Sequence, residues 1–155
     1  MTVLYDPHRL FDANYALGVL CSEFADRFGA ESGEIISRVC LERGRALGRK
    51  LASSIDEPSF ENAVNAFVGA SKRGRHPAEL VSLEPDRAVV RGTGCPLALE
   101  GRGGRICRLM MHMDQGILEE ASGKPIRFTV RRSLADGDDH CDVCFEIDST
   151  PLAEE

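Results

Sequence analysis

The spacing of apolar residues changes near Gly74, and this change constrains the fold more than any other feature of the chain. Before Gly74, apolar residues recur at helical spacing; after it, they fall in short runs bounded by turn residues. Helices followed by hairpin strands are typical of the α+β class. We therefore expect an α+β fold in which N-terminal helices pack with a four-stranded antiparallel sheet, built from two hairpins separated by a helix.

A length of 155 residues suits one domain. We expect a single domain over 1–155, with a helical half over 1–74, a hairpin–helix–hairpin half over 75–148 and a frayed tail over 149–155. In the helical half, Asp6-Pro7, Ser32 and Ser59 predict helix starts, and Gly29 and Gly69 predict ends. The predicted apolar stripes are Leu10, Leu17, Leu20, Cys21, Phe24 and Phe28 in the first helix, and Ile35, Ile36, Val39, Cys40, Leu47 and Leu51 in the second. Cys21 and Cys40 are interpreted as core residues.

Turn residues divide the second half into elements. Two strands are predicted over 78–83 and 87–91, with a turn at 84–86. A fourth helix is predicted over 106–120. A second hairpin is predicted from strands over 125–135 and 140–148, joined by a tight turn at 136–138.

The charge and the N-terminal sequence exclude several classes of partner. The formal net charge is -6, which argues against nucleic acid because such binding needs clustered positive charge. The first residues show no signal-peptide pattern, and no apolar run approaches the roughly 20 residues that span a bilayer. We therefore expect a cytoplasmic protein without a membrane partner. Its six cysteines should then remain reduced thiols.

Cys95 lies in Gly94-Cys95-Pro96-Leu97, and proline suits the first position of a helix. Cys95 is therefore a predicted helix N-cap, where partial positive charge favours the thiolate that a nucleophile or a metal ligand requires. The alternative is a turn cysteine without a chemical role.

The fourth helix combines a thiol with a carboxylate. Asp114 follows Cys107 by seven residues, so the two share one helical face with Met110, Met111 and Ile117. Asp is rarely fully buried unless it is paired, so Asp114 either lines a pocket with Cys107 or lies at the edge of the stripe. His112 points away from Asp114 and is expected to face solvent.

The last strand alternates between an apolar and a polar face. Its predicted inward face consists of Cys141, Val143, Phe145 and Ile147. Cys144 lies on the opposite face and is expected to be exposed and reactive. The Cys141-x-x-Cys144 pair is therefore not a metal knuckle. Cys95, Cys107 and Cys141 remain as candidates for one site, with Cys141 expected to be buried close to Cys107 or Cys95, although their spacing matches no zinc ribbon or finger.

These motifs carry a resemblance. Cys95-Pro96-Leu97, Cys107 and the terminal hairpin resemble the L-2-amino-thiazoline-4-carboxylic acid hydrolase family, which has a Cys-Pro, a second Cys before a helix and a Gly-Asp-x-x-Cys turn, here Gly137 to Cys141. The resemblance implies a hydrolase that opens a small cyclic C–N substrate. It implies Cys95 as nucleophile or metal ligand, Cys107 and Cys141 as ligands or pocket walls, and Asp114 as general base.

The same hairpin is similar to the 4-vinyl reductase domain, a ligand-binding module related to TRAPP vesicle-tethering subunits. In sensors of aromatic hydrocarbons within that superfamily, cysteines and a glutamate around this hairpin hold zinc. Cys107 and Cys141 match two thiol positions, whereas Val130 occupies the glutamate position and Ser133 another cysteine position. Zinc or another divalent metal at Cys95, Cys107 and Cys141 is therefore a hypothesis, with Cys95 or Asp114 completing the ligand set.

Three functional hypotheses follow. The first is a hydrolase that acts on a small cyclic C–N substrate such as a thiazoline carboxylate. The second is a non-catalytic small-molecule or cofactor-binding domain of the sensor type, favoured by Met110, Met111 and Met113, since methionine forms adaptable pocket walls. The third is a scaffolding domain that forms a homodimer through its helices.

Overall fold

The computed structural model describes residues 5–74 and 77–150. The order of elements is α1 (Ala13–Phe28), α2 (Ala30–Ala52), α3 (Phe60–Ser71), β1 (Ala78–Glu84), β2 (Arg87–Gly92), α4 (Gly104–Met110), α5 (His112–Ser122), β3 (Ile126–Arg132) and β4 (Cys141–Ile147). This order confirms the predicted α+β class and both predicted hairpins. Most of the predicted frayed tail, residues 151–155, lies outside the described residues.

The first helix begins later than the sequence predicts. Asp6 and Pro7 do start a helical turn, but it is a short 3-10 helix, Pro7–Arg9. α1 then begins after Asp12, whose carboxylate accepts hydrogen bonds from the backbone N–H groups of Asn14 at 3.0 Å and Tyr15 at 3.3 Å. Two successive Asp caps therefore divide the segment that was predicted as one helix.

Gly29 ends α1 as predicted, with a positive φ of 58°. The predicted cap at Ser32 is wrong, because α2 begins directly at Ala30. Ser32 lies inside the first turn, fully buried, and its hydroxyl donates to the carbonyl of Gly29. At the third helix the predicted cap is confirmed, since Ser59 Oγ accepts from the N–H of Asn62 at 3.1 Å.

Glycines let α2 and α5 approach at backbone distance. A Cβ on Gly44 would overlap the carbonyl oxygen of Met113, and a Cβ on Gly116 would overlap that of Leu41. Gly48, one turn after Gly44, faces Ile117 in the same way. Because no side-chain layer separates the two helices, the position of α5 is fixed by the backbone of α2.

The predicted fourth helix is divided into α4 and α5 at Met111. The hydrogen bonds nevertheless continue across the division, since the N–H of Met111 donates to the carbonyl of Cys107 at 2.9 Å, and that of Gln115 to the carbonyl of Met111 at 3.2 Å. Met111 keeps right-handed helical angles. α4 and α5 therefore form one rod (the α4–α5 rod), and residues keep their helical faces along it.

The sheet has the strand order β1-β2-β4-β3, and all pairs are antiparallel. α3 and α5 cover one face, where Val143 and Phe145 are buried as predicted. β3 ends at Arg132, before the predicted end at 135, because residues Leu134–Asp136 turn into a 3-10 helix.

The predicted exposure of Cys144 is wrong. Cys144 is 3% exposed. β4 is a central strand, so Cys144 has a neighbour on each side, Val89 on β2 and Thr129 on β3. The Arg87 side chain also covers it, with Nε 3.3 Å from Cys144 Sγ.

The predicted apolar stripes of α1 and α2 are only partly buried. Cys21 and Cys40 pack in the core as predicted. Five stripe residues on these two helices are instead exposed, namely Leu20, Phe28, Ile35, Val39 and Leu47. None of the helices within residues 5–74 and 77–150 is long and apolar enough to cross a membrane.

Candidate active site

Cys107 and Cys141 meet at the 3-10 helix that follows β3. The Ser133 hydroxyl hydrogen-bonds the Cys107 sulfur, and the N–H of Leu134 donates to Cys141 Sγ at 3.3 Å. The two thiols are close enough that charge on Cys107 raises the pKa of Cys141. Cys141 is half-buried, where the sequence predicts a buried thiol, and it lies near Cys107 as predicted.

Cys95 is a neighbour of the same pair, since charge on Cys107 also raises its pKa. The predicted helix after Cys95 is absent: the N–H of Ala98 closes a turn onto the Cys95 carbonyl at 3.0 Å, and Ala98 has a positive φ of 53°, which ends the turn. The N–H groups of Leu99 and Leu97 still point at the sulfur and favour the thiolate, but burial outweighs them and raises the pKa of Cys95 to about 11. Cys95 is therefore a protonated thiol at neutral pH, contrary to the prediction from an N-cap position.

The sequence analysis did not find Glu100, which borders two of these thiols. Its Oε1 accepts a hydrogen bond from the N–H of Cys95 at 3.0 Å. Its charge contributes to raising the pKa of both Cys95 and Cys141. A glutamate five residues after a cysteine has no recognisable motif, so only the folded loop shows that it belongs to this neighbourhood.

Asp114 lies on the same side of the α4–α5 rod as Cys107. Its charge raises the pKa of Cys107 on one side and of Cys40 on the other. Within the described residues no hydrogen-bond donor reaches its carboxyl group, and burial alone raises its pKa to about 7. The side chain still keeps some accessible surface. Asp114 is therefore a reachable carboxyl group that exchanges a proton near neutral pH, as a general base requires.

We refer to Cys95, Glu100, Cys107, Asp114 and Cys141 as the thiol site. Across residues 5–74 and 77–150, no three His, Cys, Asp or Glu side chains form a group that could hold a metal ion. Burial also raises the pKa of all three thiols, whereas a metal requires thiolates. The residues do not fit a preformed metal centre, and metal binding by Cys95, Cys107 and Cys141 stays a prediction.

His112 was predicted to face solvent; it borders a surface groove and is partly covered. The ring is half-buried and packs edge-on against Phe128, with ring centroids 5.2 Å apart. Its Nδ1 lies 2.7 Å from Gln115 Oε1. His112 does point away from Asp114, as expected from a two-residue step on a helix. It therefore belongs to a different surface from the thiol site.

The sequence was compared with models of known protein families and with curated protein sequences. The model of the L-2-amino-thiazoline-4-carboxylic acid hydrolase family matches residues 9–145. No curated protein sequence matches the chain.

Two solved structures are similar in fold. The phenol-responsive sensory domain of the transcription activator PoxR, solved with phenol, has a TM-score of 0.61 at 15% identity, over 95% of this chain and 76% of that one. Subunit 3 of a trafficking protein particle complex from Naegleria fowleri, covalently bound to palmitic acid, has a TM-score of 0.66 at 10% identity, over 88% and 93%. At these identities the likeness concerns the fold alone, and the fold is consistent with the predicted similarity to 4-vinyl reductase and TRAPP domains.

Proposed function

Because the chain belongs to the L-2-amino-thiazoline-4-carboxylic acid hydrolase family, we propose that it opens a thiazoline-carboxylate-like ring by hydrolysis at the thiol site. The observation that supports this most strongly is Asp114. A carboxyl group that exchanges its proton near pH 7, has no hydrogen-bond donor among the described residues and lies on the same helical side as Cys107 suits a general base.

In the proposed reaction, Asp114 takes a proton from water while the water oxygen bonds to the ring carbon between nitrogen and sulfur. The bond between this carbon and the ring sulfur then breaks. One water proton ends on the ring nitrogen and the other on the departing sulfur, which leaves as a thiol. The product carries a carbamoyl group and a free thiol, and no electron donor or acceptor is needed.

The three thiols have distinct roles in this proposal. Cys107 lies on the same helical side as the base, two turns before it, and borders the substrate. Cys141 and Cys95 form the other walls, with Glu100 as the charge between them. A nucleophilic role for Cys95 requires a base to remove its proton first, since burial raises its pKa to about 11.

Turnover of the thiazoline carboxylate, followed by mass spectrometry of the carbamoyl product, tests the proposal. We expect Asp114→Asn to lower kcat by roughly 100-fold or more, because general-base catalysis contributes about that much. Asp56→Asn is the matched control, since Asp56 is exposed and lies outside the thiol site. The wild-type rate should rise with pH and level off above about 7, as Asp114 loses its proton.

A series of Cys→Ser variants separates the thiols from the base. Changes at Cys107, Cys95 and Cys141 should lower turnover, whereas Cys144→Ser removes a more deeply buried thiol outside the thiol site and should not. The series is run with a chelator and with added zinc, which tests the metal hypothesis directly. No turnover by the wild-type protein under any of these conditions would contradict the proposal.

A second candidate is small-molecule binding without catalysis. It is supported by the two similar structures, one a phenol-responsive sensory domain and the other bound to palmitic acid. Native mass spectrometry of the purified protein distinguishes the candidates. A retained ligand together with no turnover of the thiazoline favours the binding function.

A homodimer in solution is a further part of the proposal. Leu20, Phe28 and Val39 are 67%, 55% and 51% exposed on α1 and α2. Several large apolar side chains left exposed on these two helices offer an apolar surface that a second copy could cover. Light scattering after size exclusion should give twice the chain mass, and Leu20→Glu with Val39→Glu should halve it. A monomeric wild-type protein would contradict this part alone.

A further inference from the structure

A groove of about 540 Å³ lies between the α4–α5 rod and β3. Its basic wall carries Arg105, Arg108 and His112, which recur at helical spacing along one side of the rod. Its apolar wall consists of Leu109, Phe128 and Val130. The volume falls in the range of small-molecule sites. Cys107 and Asp114 lie on the opposite side of the rod, so the groove shares no residue with the thiol site, although the charge of Arg108 reaches Cys107 and contributes to lowering its pKa.

The hydrogen bonds around His112 determine which ring nitrogen carries the proton. The Gln115 side-chain N–H₂ group donates to the carbonyl of Ile126 at 2.8 Å and to Glu119 Oε1 at 3.3 Å. The amide oxygen of Gln115 is therefore the atom that faces His112 Nδ1, at 2.7 Å. Because an amide oxygen only accepts, Nδ1 carries the proton. Nε2 is then an acceptor, and none of the described residues hydrogen-bonds it.

Each of the two arginines in the groove is held by a hydrogen bond and keeps further N–H donors for a ligand. Arg105 donates one N–H to the carbonyl of Gly29 at 3.3 Å, and Arg108 donates one to Asp136 Oδ2 at 3.5 Å. A guanidinium has five N–H donors, so each side chain keeps several for a ligand. A guanidinium fork matches the geometry of a carboxylate, and both arginines line the same groove.

We propose that this groove binds a planar aromatic or heteroaromatic carboxylic acid that also bears a hydroxyl or N–H donor. The carboxylate pairs with Arg105 and Arg108. The ring lies against Phe128 and Leu109, and its donor group hydrogen-bonds Nε2 of His112. Tight binding therefore requires the carboxylate, the ring and the donor group in one ligand. This inference does not depend on the proposed hydrolysis, because it uses no residue of the thiol site.

Titration calorimetry with 4-hydroxybenzoate as the probe tests the groove. Phenol lacks the carboxylate and benzoate lacks the donor, so each should bind at least about tenfold more weakly. Chemical shifts of the Thr129 and Leu109 amides should move on addition of 4-hydroxybenzoate, which locates the site. Absence of binding at millimolar probe, or equal affinity for phenol, would overturn the proposal.

Two variants assign the contacts. Arg105→Gln with Arg108→Gln removes charge from exposed side chains and should weaken 4-hydroxybenzoate at least about tenfold while leaving phenol unchanged. His112→Asn keeps an N–H donor toward Gln115 but removes the Nε2 acceptor, and should reduce 4-hydroxybenzoate to the affinity of benzoate. Asp114→Asn should leave binding unchanged. Binding that survives the double arginine change, or that disappears with Asp114→Asn, would refute the assignment.

Discussion

Replacing Asp114 by Asn should stabilise the protein at neutral and alkaline pH while it removes the proposed base. Burial raises the pKa of this carboxyl from 3.8 to about 7 in the folded chain. The folded state therefore binds the proton more tightly than the unfolded state does, and ionisation costs stability. At about 1.4 kcal/mol per tenfold difference in proton affinity, the full cost is about 4 kcal/mol as an upper bound, since the side chain keeps some accessible surface.

The pH window of this effect follows from the two pKa values. Below about pH 4, Asp114 is protonated in both states and imposes no cost. As the pH rises from about 4 to about 7, ionisation of Asp114 lowers the free energy of unfolding progressively. Above about pH 7 this loss of stability stays constant. The Asn side chain does not titrate, so the difference in stability between variant and wild type should grow across this window.

Urea unfolding at pH 5, 7 and 8.5 measures the difference. The midpoint of Asp114→Asn should exceed that of the wild type by a margin that widens from pH 5 to pH 7 and then stays constant. Asp56→Asn, which changes an exposed carboxylate, should show no such widening. If Asp114→Asn is less stable at pH 8.5, or the margin does not depend on pH, Asp114 has a partner or full solvation and the reasoning about the base is refuted.

Three further predictions concern packing, charge and thiol access. Gly44→Ala should lower the free energy of unfolding by several kcal/mol, because the added methyl group overlaps a backbone carbonyl. Gly69→Ala, whose added methyl group has nothing within 4 Å, should raise the free energy of unfolding by about 0.5–1 kcal/mol. Similar values for the two variants would contradict the close helix contact. Arg91→Gln should lower the urea unfolding midpoint at pH 7, since it removes two bonds of 2.7 and 2.9 Å to Asp142. The difference should vanish as the pH falls through the lowered pKa of that carboxyl. Iodoacetamide should leave Cys144 unmodified in the native protein and modify it after unfolding, as measured by peptide mass mapping. Rapid labelling of the native protein would mean that the Arg87 side chain moves away from the Cys144 sulfur.

Local periodicity predicted the parts of the fold that depend on neighbours along the chain. Alternation in the last strand placed Val143 and Phe145 on the buried face, because a strand has a period of two whatever lies beside it. The burial of Cys144 depends instead on the strand order, which makes β4 central. Strand order is set by long-range pairing, and the alternation of one strand carries no information about it.

The candidate site was predicted to a similar extent. The spacing of seven residues correctly put Cys107 and Asp114 on one helical side. The raised pKa of Asp114 arises from burial by α2 and from the lack of a donor, and neither is visible in the helix alone. The N-cap at Cys95 failed because Ala98 turns the chain before a helix can form. Glu100 could not be found, since only the folded loop places it near Cys141.

The glycine contact between α2 and α5 bears on how the family could change its substrates. One wall of the thiol site, the wall that carries Asp114, is held to α2 backbone against backbone at Gly44 and Gly116. Neither helix can shift there without a steric clash, so this wall acts as a fixed reference. Under the proposed function, adaptation to a substrate of another size must then come from the loop of Cys95 and Glu100. Sequence divergence among relatives should accordingly concentrate in that loop, while the glycines remain.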